Sequence, residues 1–209
     1  MSQRTPQQAF IDKIQQQKLK EKESDIWKES PFKDLPTLQS NNVGNVGESF
    51  IQVICDEAGI EATIDGLKTK KIGGGEGDGS INGKTVEIKT AHQGIHGSFQ
   101  HELGERPWHA SHLLFLDVAT TCKYLIVIPN FSEEHYKTGN KCEPYFPTKK
   151  VTWRKGDGAF KLDTTQKIDE ECVKNGFAIK ITHETTFEEI GVFLRSKFIC
   201  IQIIIENFM

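Results

Sequence analysis

The dipeptide Asn82-Gly83, set between two short runs of alternating apolar and polar residues, constrains this 209-residue chain more than any other feature. A two-residue type I′ turn needs positive φ at both central positions, and Asn-Gly tolerates it best. With these two as the loop, the register is fixed: Ile81 faces Lys84, Ser80 faces Thr85, Gly79 faces Val86 and Asp78 faces Glu87. Opposed residues have Cβ atoms about 5 Å apart, so two carboxylates are expected side by side, a pairing that destabilises a sheet unless something compensates it. Lys89, two residues beyond Glu87, projects from the same face, while Val86 and Ile88 point the other way, toward a core.

The surroundings read as a single domain over residues 1–209. Residues 1–40 are rich in Gln, Lys, Glu and Ser and are expected to form one or two surface helices, an N-terminal arm ending near Pro31 and Pro36. Over residues 45–58, Val46, Phe50, Val53 and Ile54 fall on one helical face, with Gly59 as the C-terminal cap. Short strands are expected at 62–64 and 69–72, then a glycine-rich stretch at 73–79 and the hairpin. Residues 112–118 and 124–129 are apolar on both faces, as central strands are. Helices are expected at 164–175 and 186–197 with a strand at 177–181 between them, and the tail 199–205 is strongly apolar. The fold class that follows is α/β (α+β), a central mixed sheet flanked by helices.

The chemistry of the hairpin points to a divalent cation. Mg²⁺ prefers oxygen ligands, keeps several waters, and is typically held by one or two carboxylates together with a substrate phosphate. Asp78 and Glu87 are the expected ligands, with the backbone carbonyl of Ile88 as a further one. Lys89 would hold a water near the phosphorus, and the cation would polarise the phosphate and stabilise the leaving oxygen. Two other motifs overlap these residues and fail. Gly83-Lys84-Thr85 imitates the end of a phosphate-binding loop, but position 78 is Asp rather than Gly, and a strand-like run follows where a helix is required. Asp78–Gly83 imitates the start of an EF-hand loop, whose twelfth position would be Lys89 rather than a glutamate.

Asp78, followed nine positions later by Glu87-Ile88-Lys89, resembles the D…ExK signature of the PD-(D/E)xK nuclease superfamily, which includes many restriction endonucleases. The resemblance covers roughly residues 44–129. It implies a mixed sheet flanked by helices with the metal ligands on a central hairpin, in the order helix, hairpin, helix, strand. It also implies an acidic residue on the preceding helix, for which Glu48 is the match, to orient the lysine or a second metal. The superfamily's proline before the aspartate is replaced by Gly77. The implied function is a Mg²⁺-dependent, site-specific double-stranded DNA endonuclease of the type II restriction kind, acting as a homodimer on a palindrome. Two alternatives stay open: a structure-selective nuclease of the junction-resolvase or repair type, and an inactive DNA-binding module on a nuclease scaffold.

A net charge of −3 counts mildly against a DNA partner, although affinity depends on a basic face rather than on the total. Candidate DNA contacts are Gln93, Gln100, His101 and Arg106 in the polar stretch after the hairpin, with Gln100 expected on a helix following ExK. Arg154 and Lys155 belong to a second basic run, expected as a turn or a DNA-contacting loop. Cys55, Cys122, Cys142, Cys172 and Cys200 lack a CxxC pair, so neither a disulfide framework nor a zinc site is expected. The histidines from His92 to His112 match no standard ligand spacing. No apolar run is long enough to span a bilayer and the N-terminus is too polar for a secretory signal, so cytoplasmic residence is the default expectation.

Overall fold

A computed structural model describes residues 5–23, 25–65, 77–104, 110–130, 150–154, 159–164 and 169–198. The hairpin forms in the expected register. Strands β2 (Gly79–Ile81) and β3 (Lys84–His92) pair antiparallel through Ile81 with Lys84, Ser80 with Thr85 and Gly79 with Val86. Asn82 and Gly83 have φ of 46° and 70°, as a type I′ turn requires. β1 (Ala62–Ile64) adds antiparallel to the outer edge of β2.

β3 has nine residues where its hairpin partner has three, and from Val86 onward it pairs parallel with β5 (His112–Val118). β6 (Lys123–Pro129) and β9 (Ala178–Ile181) complete a six-stranded mixed sheet in the order β1-β2-β3-β5-β6-β9. Every residue of β5 is buried, as its two-sided apolar sequence requires.

Alternation along β3 divides the sheet into two faces. Val86 and Ile88 pack with Leu114, Leu125 and Val127 under α2 (Ser40–Glu57) and α4 (Phe187–Phe198), which contribute Ile51, Ile54 and Cys55, and Ile190, Leu194 and Phe198. On the other face Ala91, Leu113, Phe115, Tyr124 and Ile126 pack with Phe99 of β4 (Phe99–Gly104) and Cys172 of α3 (Asp169–Lys174). β4 heads a second, three-stranded antiparallel sheet, β4-β8-β7, with β7 (Lys150–Arg154) and β8 (Ala159–Thr164). The architecture is thus α/β: a mixed sheet with helices against it. Ahead of it, α1 (Pro6–Glu23) is almost wholly exposed, and Trp27, Phe32 and Leu35 pack on Leu116 and Val118.

Three expectations need correcting. The buried stripe of α2 is Val43, Gly47, Ile51, Ile54 and Cys55, whereas Val46 and Val53 are 47% and 46% exposed. The helix starts five residues earlier than expected, and its true stripe is anchored by Gly47, which carries no apolar signal. Among the described residues, strand β4 rather than a helix lies between β3 and β5, so Gln100 sits on a strand opposite Asp163. The basic run is likewise a strand, β7, up to Arg154. The expected strand at 69–72 and the apolar tail lie outside the described residues. Among these residues no helix is long and apolar enough to cross a membrane.

Candidate active site

The register placed Asp78 straight across from Glu87, and the structure departs from it by one residue. The Asp78 N–H donates to the Val86 carbonyl at 2.7 Å, although Gly79 is the residue paired with Val86. Two consecutive residues of one strand therefore oppose one of the other, the arrangement of a β-bulge, which bends a strand and re-aims its side chains. The bulge occurs where β3 leaves β2 to pair with β5. It turns the Asp78 side chain inward, where it is only 2% exposed and its Oδ2 accepts the Ile88 N–H at 2.7 Å.

Gly77 explains the missing proline. Its φ is +94°, a conformation proline's ring forbids, and a Cβ at this position would lie 2.2 Å from the Val86 carbonyl oxygen. The local path that seats Asp78 excludes the residue usual in the superfamily pattern.

The N–H and C=O of one strand residue point to the same side. Because the Ile88 N–H meets Asp78, the Ile88 carbonyl faces the same strand edge, where β2 has ended. Glu87 and Lys89, on the face opposite Val86 and Ile88, are paired through Oε1 and Nζ, and their side chains are 16% and 27% exposed. A buried carboxylate, a backbone carbonyl and a solvent-reaching Glu–Lys pair thus gather within three residues of β3. These are hard oxygen donors with an ammonium beside them, a set that suits Mg²⁺. Among the described residues no group of three His, Cys, Asp or Glu side chains converges to hold an ion. A site here would rest on two carboxylates, a carbonyl and water.

Glu48 lies half-buried on α2, next to Gly47, which packs against Thr90 of β3. The structure brings this helix to the strand after the ExK triplet, on the face away from Glu87 and Lys89. Asp65, which sequence reasoning missed, directly follows β1 and donates its N–H to the Asp78 carbonyl at 3.0 Å. The glycine-rich stretch hid that pairing, because β1 and Asp78 are far apart in sequence.

The candidate DNA contacts separate by burial. Gln100 is exposed. Gln93 is half-buried, takes the Thr120 N–H on its side chain at 3.4 Å, and accepts Trp27 Nε1–H on its carbonyl at 3.2 Å. His101 corrects expectation: at 2% exposure its imidazole has no surface to offer a base edge or phosphate. Its Nε2 lies 2.6 Å from Asp117 Oδ1, with Phe115 edge-on at 4.4 Å. Nothing in the sequence marked Asp117, which sits in an otherwise apolar strand. Arg106 and Lys155 lie outside the described residues, and Arg154 is the last residue of β7.

Of the cysteines, Cys55, Cys122 and Cys172 are buried free thiols. Burial, with Asp56 nearby, pushes the Cys55 thiol up to about 12, so it is inert as a nucleophile at neutral pH. Comparison of the chain with protein-family models, with curated proteins and with solved structures finds no match in any of the three.

Proposed function

We propose that this chain is a Mg²⁺-dependent endonuclease that hydrolyses phosphodiester bonds of double-stranded DNA at a specific site, in the manner of a type II restriction enzyme. The observation that carries the reading is the bulge that turns the buried Asp78 carboxylate onto the Ile88 N–H, beside the solvent-reaching Glu87–Lys89 pair. A hairpin serving only stability would gain nothing from burying an acid next to a second one.

In this reading Asp78, Glu87 and the Ile88 carbonyl would hold Mg²⁺, while Glu48, whose helix packs on the face away from Lys89, is left out of the lysine's support. The chemistry a cation would supply there is polarisation of the phosphate and compensation of charge on the leaving oxygen. Lys89 donates to the attacking water and keeps its lone pair turned to phosphorus, and Glu87 fixes the ammonium. The water oxygen gives up a proton to solvent as it forms a new P–O bond, the ester P–O bond opposite breaks, and the departing oxygen takes a proton from solvent. Exposed Gln100 is the candidate for reading DNA. A homodimer would present two such sites to a palindrome.

A digest of linear phage DNA and supercoiled plasmid, with Mg²⁺ or with excess chelator, tests the proposal. Discrete Mg²⁺-dependent fragments from linear duplex are expected. Cutting confined to branched or nicked DNA would replace this reading with a structure-selective nuclease. Retention of DNA without cutting would leave a binding module.

A further inference from the structure

A second polar feature lies on the helical side of the sheet, away from Glu87 and Lys89. A cavity of about 370 Å³ opens between residues 31–38, α2 and the ends of β3, β5 and β6. Its walls are mostly apolar, with Phe32, Leu35, Phe50, Leu116 and Val118 among them. The volume falls within the range of small-molecule sites, which pair apolar walls with a few placed polar groups.

One such group is present. Lys123 Nζ lies 4.5 Å from the centre of the Phe32 ring and 5.5 Å from that of Phe50, both of them cavity walls. Among the described residues no carboxylate stands within ion-pairing distance of it; Asp34 lines the cavity but is exposed. Burial holds the Lys123 ammonium below its ordinary pKa. The Thr90 hydroxyl has no hydrogen-bond partner among the described residues, but its oxygen is sealed against Gly47 of α2 rather than open to the cavity. Ring faces attract a cation, but they compensate its lost hydration less well than an anion does. The cavity therefore presents an apolar interior and an ammonium with unspent attraction.

We propose that this cavity binds an amphipathic organic anion, a carboxylate whose head meets Lys123 and whose apolar body lies along Phe32, Phe50 and Leu116. The head group takes the place of the water that Lys123 has lost, and the body covers apolar surface that solvent otherwise wets. Thr90 follows Lys89 along β3, so an occupant would rest on the strand that carries the proposed active site. The binding itself does not depend on the nuclease reading.

Calorimetric titration with decanoate and with decanol tests the proposal, because the two ligands share a chain and differ in head charge. The full-length protein should bind one decanoate per chain, at least ten-fold more tightly than decanol. Lys123→Met keeps the side-chain stem and should bring the two affinities together while leaving that for decanol unchanged. Val46→Trp, at the half-exposed rim, should weaken both ligands alike. Decanoate affinity should fall as pH rises through the depressed Lys123 pKa, since the ammonium is then lost. Equal affinity for decanoate and decanol in the wild type would overturn the proposal, and so would a ten-fold preference that survives Lys123→Met.

Discussion

Glu87 with Lys89, and Asp117 with His101 of the second sheet, are two acid–base pairs on one face of the six-stranded sheet. They stand one strand apart, with Lys89 registered against Phe115 and Ala91 against Asp117. Solvent separates them. The Glu87 and Lys89 side chains keep 16% and 27% of their exposure, and those of His101 and Asp117 keep 1% and 0%. A pair that water reaches contributes about 1 kcal/mol or less to stability and can exchange its partner for a substrate. A sealed pair cannot exchange, and removing one member strands the other without compensation, at about 3–5 kcal/mol. The difference leaves the first pair as the one that the proposed function can use. The second fastens β4 onto β5, and with it the polar stretch that follows the ExK strand.

That contrast can be broken in several ways. The largest expected effect is on cleavage: Asp78→Ala or Glu87→Ala should lower the rate by roughly 10³-fold or more, as loss of transition-state charge stabilisation does. For Glu87→Ala the urea midpoint should stay near that of the wild type, and a large loss of stability would make the exposed pair structural. Asp117→Ala should do the reverse in the same denaturation experiment, with a loss of about 3–5 kcal/mol. Wild-type stability in that variant would remove the distinction between the pairs.

A smaller effect sharpens the account of how α2 is seated. A Cβ at position 47 would lie 1.8 Å from Thr90 Oγ1, so Gly47→Ala should cost about 1–3 kcal/mol by overpacking. Adding Thr90→Ala should restore part of that loss, which a double-mutant cycle would read as coupling.

The smallest effect concerns His112, a buried imidazole with a serine hydroxyl rather than an acid beside it. Its Nδ1 lies 2.9 Å from Ser111 Oγ and its ring stacks on Phe198. Burial, aided by Lys84, holds its pKa below the ordinary 6.5, although a backbone hydrogen bond with Lys197 works the other way. Above 6.5 the folded and unfolded states are both neutral at this residue. Below it the unfolded chain takes up the proton first, so stability should fall as pH drops beneath 6.5 and level off below the folded pKa. Denaturation curves at pH 7.5 and 5.5 should show that component in the wild type and lose it in His112→Asn.

The hairpin was legible because Asn82-Gly83 dictates a turn whose geometry is local, and strands β5 and β6 were legible because they are apolar on both faces. What escaped was set by distant contacts. The bulge at Asp78 depends on β3 leaving β2 for β5, and the residues around 78 do not encode that departure. β4 reads as a polar stretch because its inward residues include His101, whose partner Asp117 lies 16 residues away in an apolar run. The buried stripe of α2 was misread because a glycine sits at its closest approach to the sheet. Asp78, Glu87 and Lys89 were named from spacing, whereas the burial of Asp78 and the accessibility of the other two are tertiary facts.

The most direct test of the central claim is single-turnover cleavage by Lys89→Ala of a duplex that the wild type cuts, with DNA binding measured in parallel by gel shift. The account predicts Mg²⁺-dependent cutting by the wild type, none by the variant, and similar binding by both. Cutting by Lys89→Ala at the wild-type rate would contradict it.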